Sequence, residues 1–272
     1  MVEIPEDELK SLKRQLMKLK LESKLRSNMS RELDRQKSIA EKAELLAKEK
    51  SEEIEAIANQ LSKYLSPQLY DSIFSGKKEV VITSEKKYLT IFFSDLVSFT
   101  NISDTMDSVP LTKMLNEYLN KMTDIALSYG ATIDKYIGDA VMIFFGDPES
   151  KGIEQDALSC VEMAKDMQSE MKSMSKYWLK NYSLKNPLQI RIGINSGECT
   201  VGNFGSERRL DYTVIGSPVN LASRLESLAP HSGILISDST YSLIEKKIEC
   251  TQFGNIEVKG FNDKFKTFNV NL

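Results

Sequence analysis

The alternation of hydrophobic and polar positions changes its rhythm near residue 65. Residues 8–62 hold neither proline nor glycine and are crowded with Lys, Glu, Leu and Ala. Leu9, Leu12, Leu16 and Leu19 recur at three- and four-residue spacing, which puts them on one helix face. From Leu33 a seven-residue frame runs through Ala40, Ala47, Ile54 and Leu61, with a partner series through Met29, Ala43, Ile57 and Tyr64. The two stretches are out of register by three or four residues around Ser23–Arg26, as at a stutter or stammer. Gln36 and Lys50 fall on the seam and weaken pairing locally. The pattern suits either one solvated helix with i,i+4 ion pairs or a parallel two-chain coiled coil. The sustained apolar stripe favours the coiled coil, a rod roughly 80 Å long at ~1.5 Å per residue.

Tyr64–Leu69 breaks the helix. Ser66 and Pro67 are a cap and first-turn pair, predicting a short helix that ends near Gly76. A polar stretch then leads to a buried strand over Tyr88–Ser94. Beyond it strands and helices alternate. Helices are predicted over Val109–Tyr129, Glu154–Met174, Ser217–Leu228 and Thr240–Lys246. Strands are predicted over Ala131–Tyr136, Ala140–Phe145, Leu188–Asn195, Ile234–Ile236, Thr251–Val258 and Phe265–Val270. One hairpin turns at Ile137-Gly138-Asp139, and a second is expected near Gly197 and Gly202. The order β-α-β-β-α-β through residue 195 predicts an α/β (α+β) sandwich with a ferredoxin-like core. Three regions follow: a coiled-coil helix over 1–64, a short helix and linker over 65–87, and an α/β domain over 88–272.

Composition narrows the chemistry. Net charge is −3, which gives no argument for a nucleic-acid partner. Cys160, Cys199 and Cys250 are far apart and odd in number, so they read as reduced thiols of a cytoplasmic protein. His231 is the only histidine, so a histidine metal site or triad would have to be built on it. No stretch approaches ~18 apolar residues, and the N-terminus has no signal-peptide core.

Three stretches carry candidate chemistry. In Phe92-Phe93-Ser94-Asp95-Leu96-Val97-Ser98-Phe99-Thr100 an apolar strand ends at Asp95, and a small polar turn leads to a helix. Such an aspartate serves as a turn or cap residue, or holds a metal–phosphate group beside backbone N–H groups. Asp139 lies at the tip of the first hairpin, where Gly-Asp is also ordinary turn chemistry. In the predicted fold that hairpin lies beside the first strand, so Asp95 and Asp139 converge. Two carboxylates plus substrate phosphates are what Mg²⁺ uses. In the third stretch, Arg208 to Leu225, Ser217-Pro218 starts a helix on which Asn220 and Arg224 share one face. Taken singly, these two are also unremarkable surface residues.

FSDLVSFT, DKYIGDAVM and DYTVIGSPVNLASRLES, in this order and spacing, resemble the class III nucleotidyl cyclase catalytic domain over about residues 85–271. Glu257-Val258-Lys259-Gly260 fits the same family, and neither GGDEF nor a Walker A motif is present. The resemblance implies that Asp95 and Asp139, with the backbone of Leu96, hold two Mg²⁺ or Mn²⁺ ions. It implies that the Phe99-Thr100 turn cradles phosphate, Asn220 orients the ribose and Arg224 stabilises the transferring phosphorus. Lys259 then binds the triphosphate, as does Arg208 or its neighbour Arg209. Lys135 and Thr213 fall on the base-selecting positions.

Adenine N1 accepts and N6 donates, so a lysine and a threonine oxygen match adenine; guanine reverses both. ATP is therefore the expected substrate, cyclic AMP and pyrophosphate the expected products. In the family the metal aspartates come from one subunit, and the base selectors, Asn and Arg from the other. A homodimer of this chain could build two such sites, tethered by the coiled coil, with an upstream sensor or regulator as partner. A guanylate cyclase and a non-catalytic nucleotide-binding dimer module are the alternatives.

Overall fold

The computed structural model describes residues 5–64, 70, 83–206, 208–257 and 264–272, without the side chains of Lys63, Glu257 and Lys264. The short helix expected over 67–76 and the phosphate residue Lys259 lie outside them. Two compact units divide the chain, Met1–Tyr64 and Leu65–Leu272.

The first unit is one helix, α1 (Glu6–Leu61), 56 residues long, closed by a 3₁₀ turn over Ser62–Tyr64. Glu6, Asp7 and Glu8 fill its first turn, where negative charge suits the helix dipole. Ion pairs such as Lys37–Glu41 lie along its surface and contribute little. The apolar frame is open to solvent in the single chain: Leu12, Leu33 and Ile54 are 54%, 68% and 65% exposed.

The second unit contains β1 (Ser84–Leu96), α2 (Phe99–Thr105), α3 (Ser108–Ser128), β2 (Thr132–Ile137), β3 (Ala140–Phe145), α4 (Ile153–Asn181), β4 (Ile190–Ser206) and β5 (Arg209–Ile215). It continues through α5 (Ser217–Leu228), β6 (Ile234–Ser237), α6 (Asp238–Ile244), β7 (Cys250–Glu257) and β8 (Lys264–Val270). Among the described residues the strands form one eight-stranded sheet, ordered β2-β3-β1-β4-β6-β8-β7, with β5 paired to β4 off that path. β2–β3, β3–β1 and β1–β4 are all antiparallel. That order and direction make the ferredoxin-like core expected from the element sequence.

β1 is buried on both faces, which is why its apolar run does not alternate. Phe92 and Leu96 face a core built with Met114, Tyr118 and Met122 of α3 and Val161, Met167 and Trp178 of α4. Leu89, Ile91 and Phe93 face the other side, with Met142, Cys199, Val214 and Ala222 of α5. Burying each large apolar side chain stabilises the unit by about 1.5–3 kcal/mol. α4 runs past its expected end at Met174 to Asn181, because fully buried Trp178 anchors the extra turns.

The second hairpin differs from expectation. β4 runs unbroken for 17 residues through Gly197 and Gly202, and the chain reverses only between Ser206 and Arg209. Gly193 and Gly197 mark close packing, not turning. A Cβ on Gly193 would lie 2.0 Å from the Glu226 backbone nitrogen, and one on Gly197 would lie 2.9 Å from Pro218 Cγ. Both glycines let α5 lie directly on the strand.

Candidate active site

β1 ends with Asp95, and the β2–β3 hairpin brings Asp139 to it. The Leu96 backbone N–H donates to Asp139 Oδ2 at 3.1 Å, which joins the turn to the strand end. Burial, then a hydrogen bond and charge repulsion from Asp95, push the Asp139 carboxyl up to about 7. Burial and the neighbouring Asp95 carboxylate thus favour the acid form of Asp139 over its charged form.

Sequence reasoning missed the basic residue here. Arg191 lies opposite Asp95 in the β1–β4 register. Its Nη2 reaches Asp95 Oδ2 at 3.0 Å and Glu226 Oε1 at 3.2 Å, and its Nη1 donates to the Ser227 carbonyl at 3.2 Å. Glu226 is buried on α5, and burial raises its carboxyl against the pull of Arg191. An arginine set between Ile190, Ile192 and Ile194 was the available signal. Glu226 left none, since its partner is 35 residues away by number (226 − 191).

After Leu96 the backbone turns through Ser98, a non-glycine residue at φ 60°, ψ 28°, strained by about 1 kcal/mol. Val97 N–H donates to the Gln189 carbonyl at 2.8 Å and holds the turn against the start of β4. Phe99 opens α2 and packs partly buried against the core, while Thr100 beside it is exposed.

A second corner forms where β2 meets β5. The β2–β3 register slips between Ile133 and Lys135, leaving Asp134 as the extra residue of a bulge. Its carboxylate is fully buried, and its Oδ1 lies 3.2 Å from Lys135 Nζ. Its Oδ2 accepts from Thr213 Oγ1 at 2.6 Å and from the Val214 N–H at 3.3 Å. Burial raises the Asp134 carboxyl, opposed by Thr213, Lys135 and Val214. Lys135 and Thr213, far apart in sequence, are thereby held around one carboxylate. Next to them the Tyr212 hydroxyl and Lys87 Nζ both meet buried Asp147, fastening β5 to the body of the unit.

Asn220 and Arg224 are exposed on α5, while Leu221 and Leu225 are buried, as the four-residue spacing requires. The helix begins at Ser217, with Gly216 as its cap residue and Pro218 in its first turn. Arg208 is exposed in the β4–β5 turn.

The donor set fits a small divalent cation. Among the described residues no group of three or more His, Cys, Asp or Glu gathers as a closed metal site. Two facing carboxylates are what Mg²⁺ or Mn²⁺ takes when substrate oxygens complete the shell.

The chain belongs to the family of adenylate and guanylate cyclase catalytic domains, whose pattern it matches over residues 81–272. It is 30% identical over 225 residues to an adenylate cyclase of Anabaena cylindrica, covering 79% of this chain and 41% of that protein. It is 30% identical over 223 residues to guanylate cyclase soluble subunit beta-2 of Rattus norvegicus, covering 78% and 31%. The chain thus spans less than half of these relatives. Among solved structures it resembles the adenylyl cyclase CyaB from P. aeruginosa, at 49% identity and TM-score 0.68, covering 70% of this chain and 96% of that one. The guanylyl cyclase Cya2 follows at 34% identity and TM-score 0.65, with 69% and 93% covered. Among the described residues no helix is long and apolar enough to cross a membrane.

Proposed function

We propose that the chain converts ATP to 3′,5′-cyclic AMP and pyrophosphate, acting as a homodimer. The observation that carries the choice of ATP is the meeting of Lys135 and Thr213 at Asp134. A lysine ammonium donates to adenine N1, and a threonine oxygen accepts from N6.

In this reading Asp95 and Asp139, with the Leu96 backbone, hold two Mg²⁺ or Mn²⁺ ions. When bound, these ions lower the pKa of the 3′-hydroxyl and neutralise charge on the leaving pyrophosphate. The ribose 3′-oxygen forms a bond to the α-phosphorus as the bond to pyrophosphate breaks. The 3′-proton leaves to Asp95 or to water, since His231 is exposed in a loop and no other histidine exists. Arg224 meets charge developing on the α-phosphate, and Asn220 orients the ribose. Lys259, Arg208 or Arg209, and the Phe99-Thr100 turn hold the phosphates.

A dimer assembles each site from the aspartates of one subunit and Lys135, Thr213, Asn220 and Arg224 of the other. The exposed stripe of α1 serves as the tether, as a parallel coiled coil. Cytoplasmic placement and an upstream sensor complete the proposal. Incubating the protein with ATP or GTP plus Mn²⁺ and identifying the product decides the reaction. Cyclic AMP from ATP is expected; cyclic GMP from GTP at equal or higher kcat/KM, or no product, overturns the reading. Removing residues 1–60 should make specific activity rise with protein concentration, through loss of the tether's effective concentration.

A further inference from the structure

We infer that Asp134 sets base specificity by fixing the Thr213 hydroxyl as an acceptor toward the nucleotide. The inference rests on the reading of Lys135 and Thr213 as the residues that meet the base. The direction of one proton decides it. A threonine hydroxyl has one hydrogen and two lone pairs, and left free it serves adenine as acceptor or guanine as donor equally well. Here it is not free.

A backbone N–H can only donate, and the Val214 N–H points at Asp134 Oδ2. Oδ2 is therefore an acceptor and carries no proton. Thr213 Oγ1 lies 2.6 Å from the same Oδ2, so the threonine hydrogen is the one on that line. Were Asp134 to take up a proton it would sit on Oδ1, and the direction at Thr213 would not change. Only lone pairs remain on Thr213 for a base. They match the N6 amino group of adenine and oppose the O6 carbonyl of guanine.

The same carboxylate forms an ion pair with Lys135, Oδ1 to Nζ 3.2 Å, and the ammonium keeps its hydrogens for adenine N1. The bulge at Asp134 makes this possible. In an unbroken strand, neighbours 134 and 135 would point to opposite faces; the extra residue lets both side chains meet. Asp134 is thus a positioning residue that acts on the base through Thr213 and Lys135. A purely structural carboxylate would leave the ATP:GTP ratio unchanged while lowering both rates.

The first test changes Thr213 and leaves Asp134 in place. kcat/KM is measured for ATP and GTP with Mn²⁺, and GTP is also titrated as a competitive inhibitor of ATP turnover. Thr213→Val should lower ATP use about five- to tenfold by removing one hydrogen bond. GTP use and inhibition should stay level or strengthen, because a repelling lone pair is gone. A parallel fall for GTP means the hydroxyl rotates to donate, and overturns the inference. No change for either nucleotide shows instead that residue 213 does not read the base, which is failure of the underlying reading. The second test frees the rotor. Asp134→Ala should lower the ATP:GTP ratio of kcat/KM at least about fivefold. In that background Thr213→Val should now weaken GTP. An unchanged ratio in folded Asp134→Ala protein overturns the inference. Should that variant not fold, the sign of the GTP change in Thr213→Val alone still decides.

Discussion

Asp139 and Asp134 lie on the same hairpin, both removed from full solvent, yet their surroundings are opposite. Asp134 is surrounded by donors: a hydroxyl, a backbone N–H and an ammonium. Asp139 accepts from the Leu96 N–H, is half-buried and faces another carboxylate, so its acid form is favoured up to about pH 7. The Asp134 corner is the more complete within one chain, although burial still raises its carboxyl; the Asp139 corner is the incomplete one, where Arg191 only partly balances Asp95. A complete corner reads a ligand by shape and by hydrogen-bond direction. In the proposed function the incomplete corner is the one that takes up a cation.

The largest expected effect breaks the incomplete corner. Asp95→Ala or Asp139→Ala should lower Mn²⁺-dependent turnover at least about a thousandfold, with the circular dichroism spectrum unchanged. Near-normal cyclase activity in either variant would sink the metal assignment. A second experiment puts the two corners on different chains. Asp95→Ala and Arg224→Ala protein, each inactive, are mixed and allowed to exchange. Each heterodimer then has one intact site and should recover about half the turnover of a wild-type dimer. Proven exchange with no recovery rules out the shared site.

The complete corner is probed by Lys135→Glu with Thr213→Cys. The pair should lower kcat/KM for ATP at least about tenfold, with a smaller gain for GTP. An unchanged ATP:GTP preference would separate this corner from base reading. The smallest effect concerns stability without metal. Asp139 titrates near 7 in the folded chain and near 3.8 when unfolded. Between those values the folded state holds a proton that the unfolded state has lost. The stabilisation is complete at low pH and is lost as pH rises through 7. Asp134 and Glu226 are shifted in the same direction. Thermal melts in chelator should show Tm falling by roughly 3 °C from pH 5 to pH 8. Mn²⁺ should restore it more at pH 8, and Asp139→Asn should flatten the profile. A Tm that climbs over this range would contradict the arrangement at Asp139.

Local signals made the framework readable from sequence. Strand and helix periods placed Asp95 at a strand end, Asp139 at a hairpin tip, and Asn220 with Arg224 on one helix face. The resemblance supplied the roles of Lys135 and Thr213. What stayed hidden depends on distant pairing. Arg191 acquires meaning only opposite Asp95, and Asp134 only where a bulge turns it toward β5. Gly197 and Gly202 were misread because a glycine that opens a turn and one that admits a neighbouring backbone look alike in sequence. Contact with Pro218 distinguishes the two at Gly197.

The Asp134–Lys135 ion pair also bears on how such a domain changes its substrate over time. Lys135→Glu alone places a second carboxylate beside a buried one and removes the ammonium that offset it. That intermediate is poorer for adenine before it has become good for guanine. Replacing Asp134 first strands Lys135 without its anchor and loosens Thr213. If the pair reads the base as proposed, each of these two single replacements weakens adenine use on its own, so a change of base calls for linked substitutions at 134 and 135.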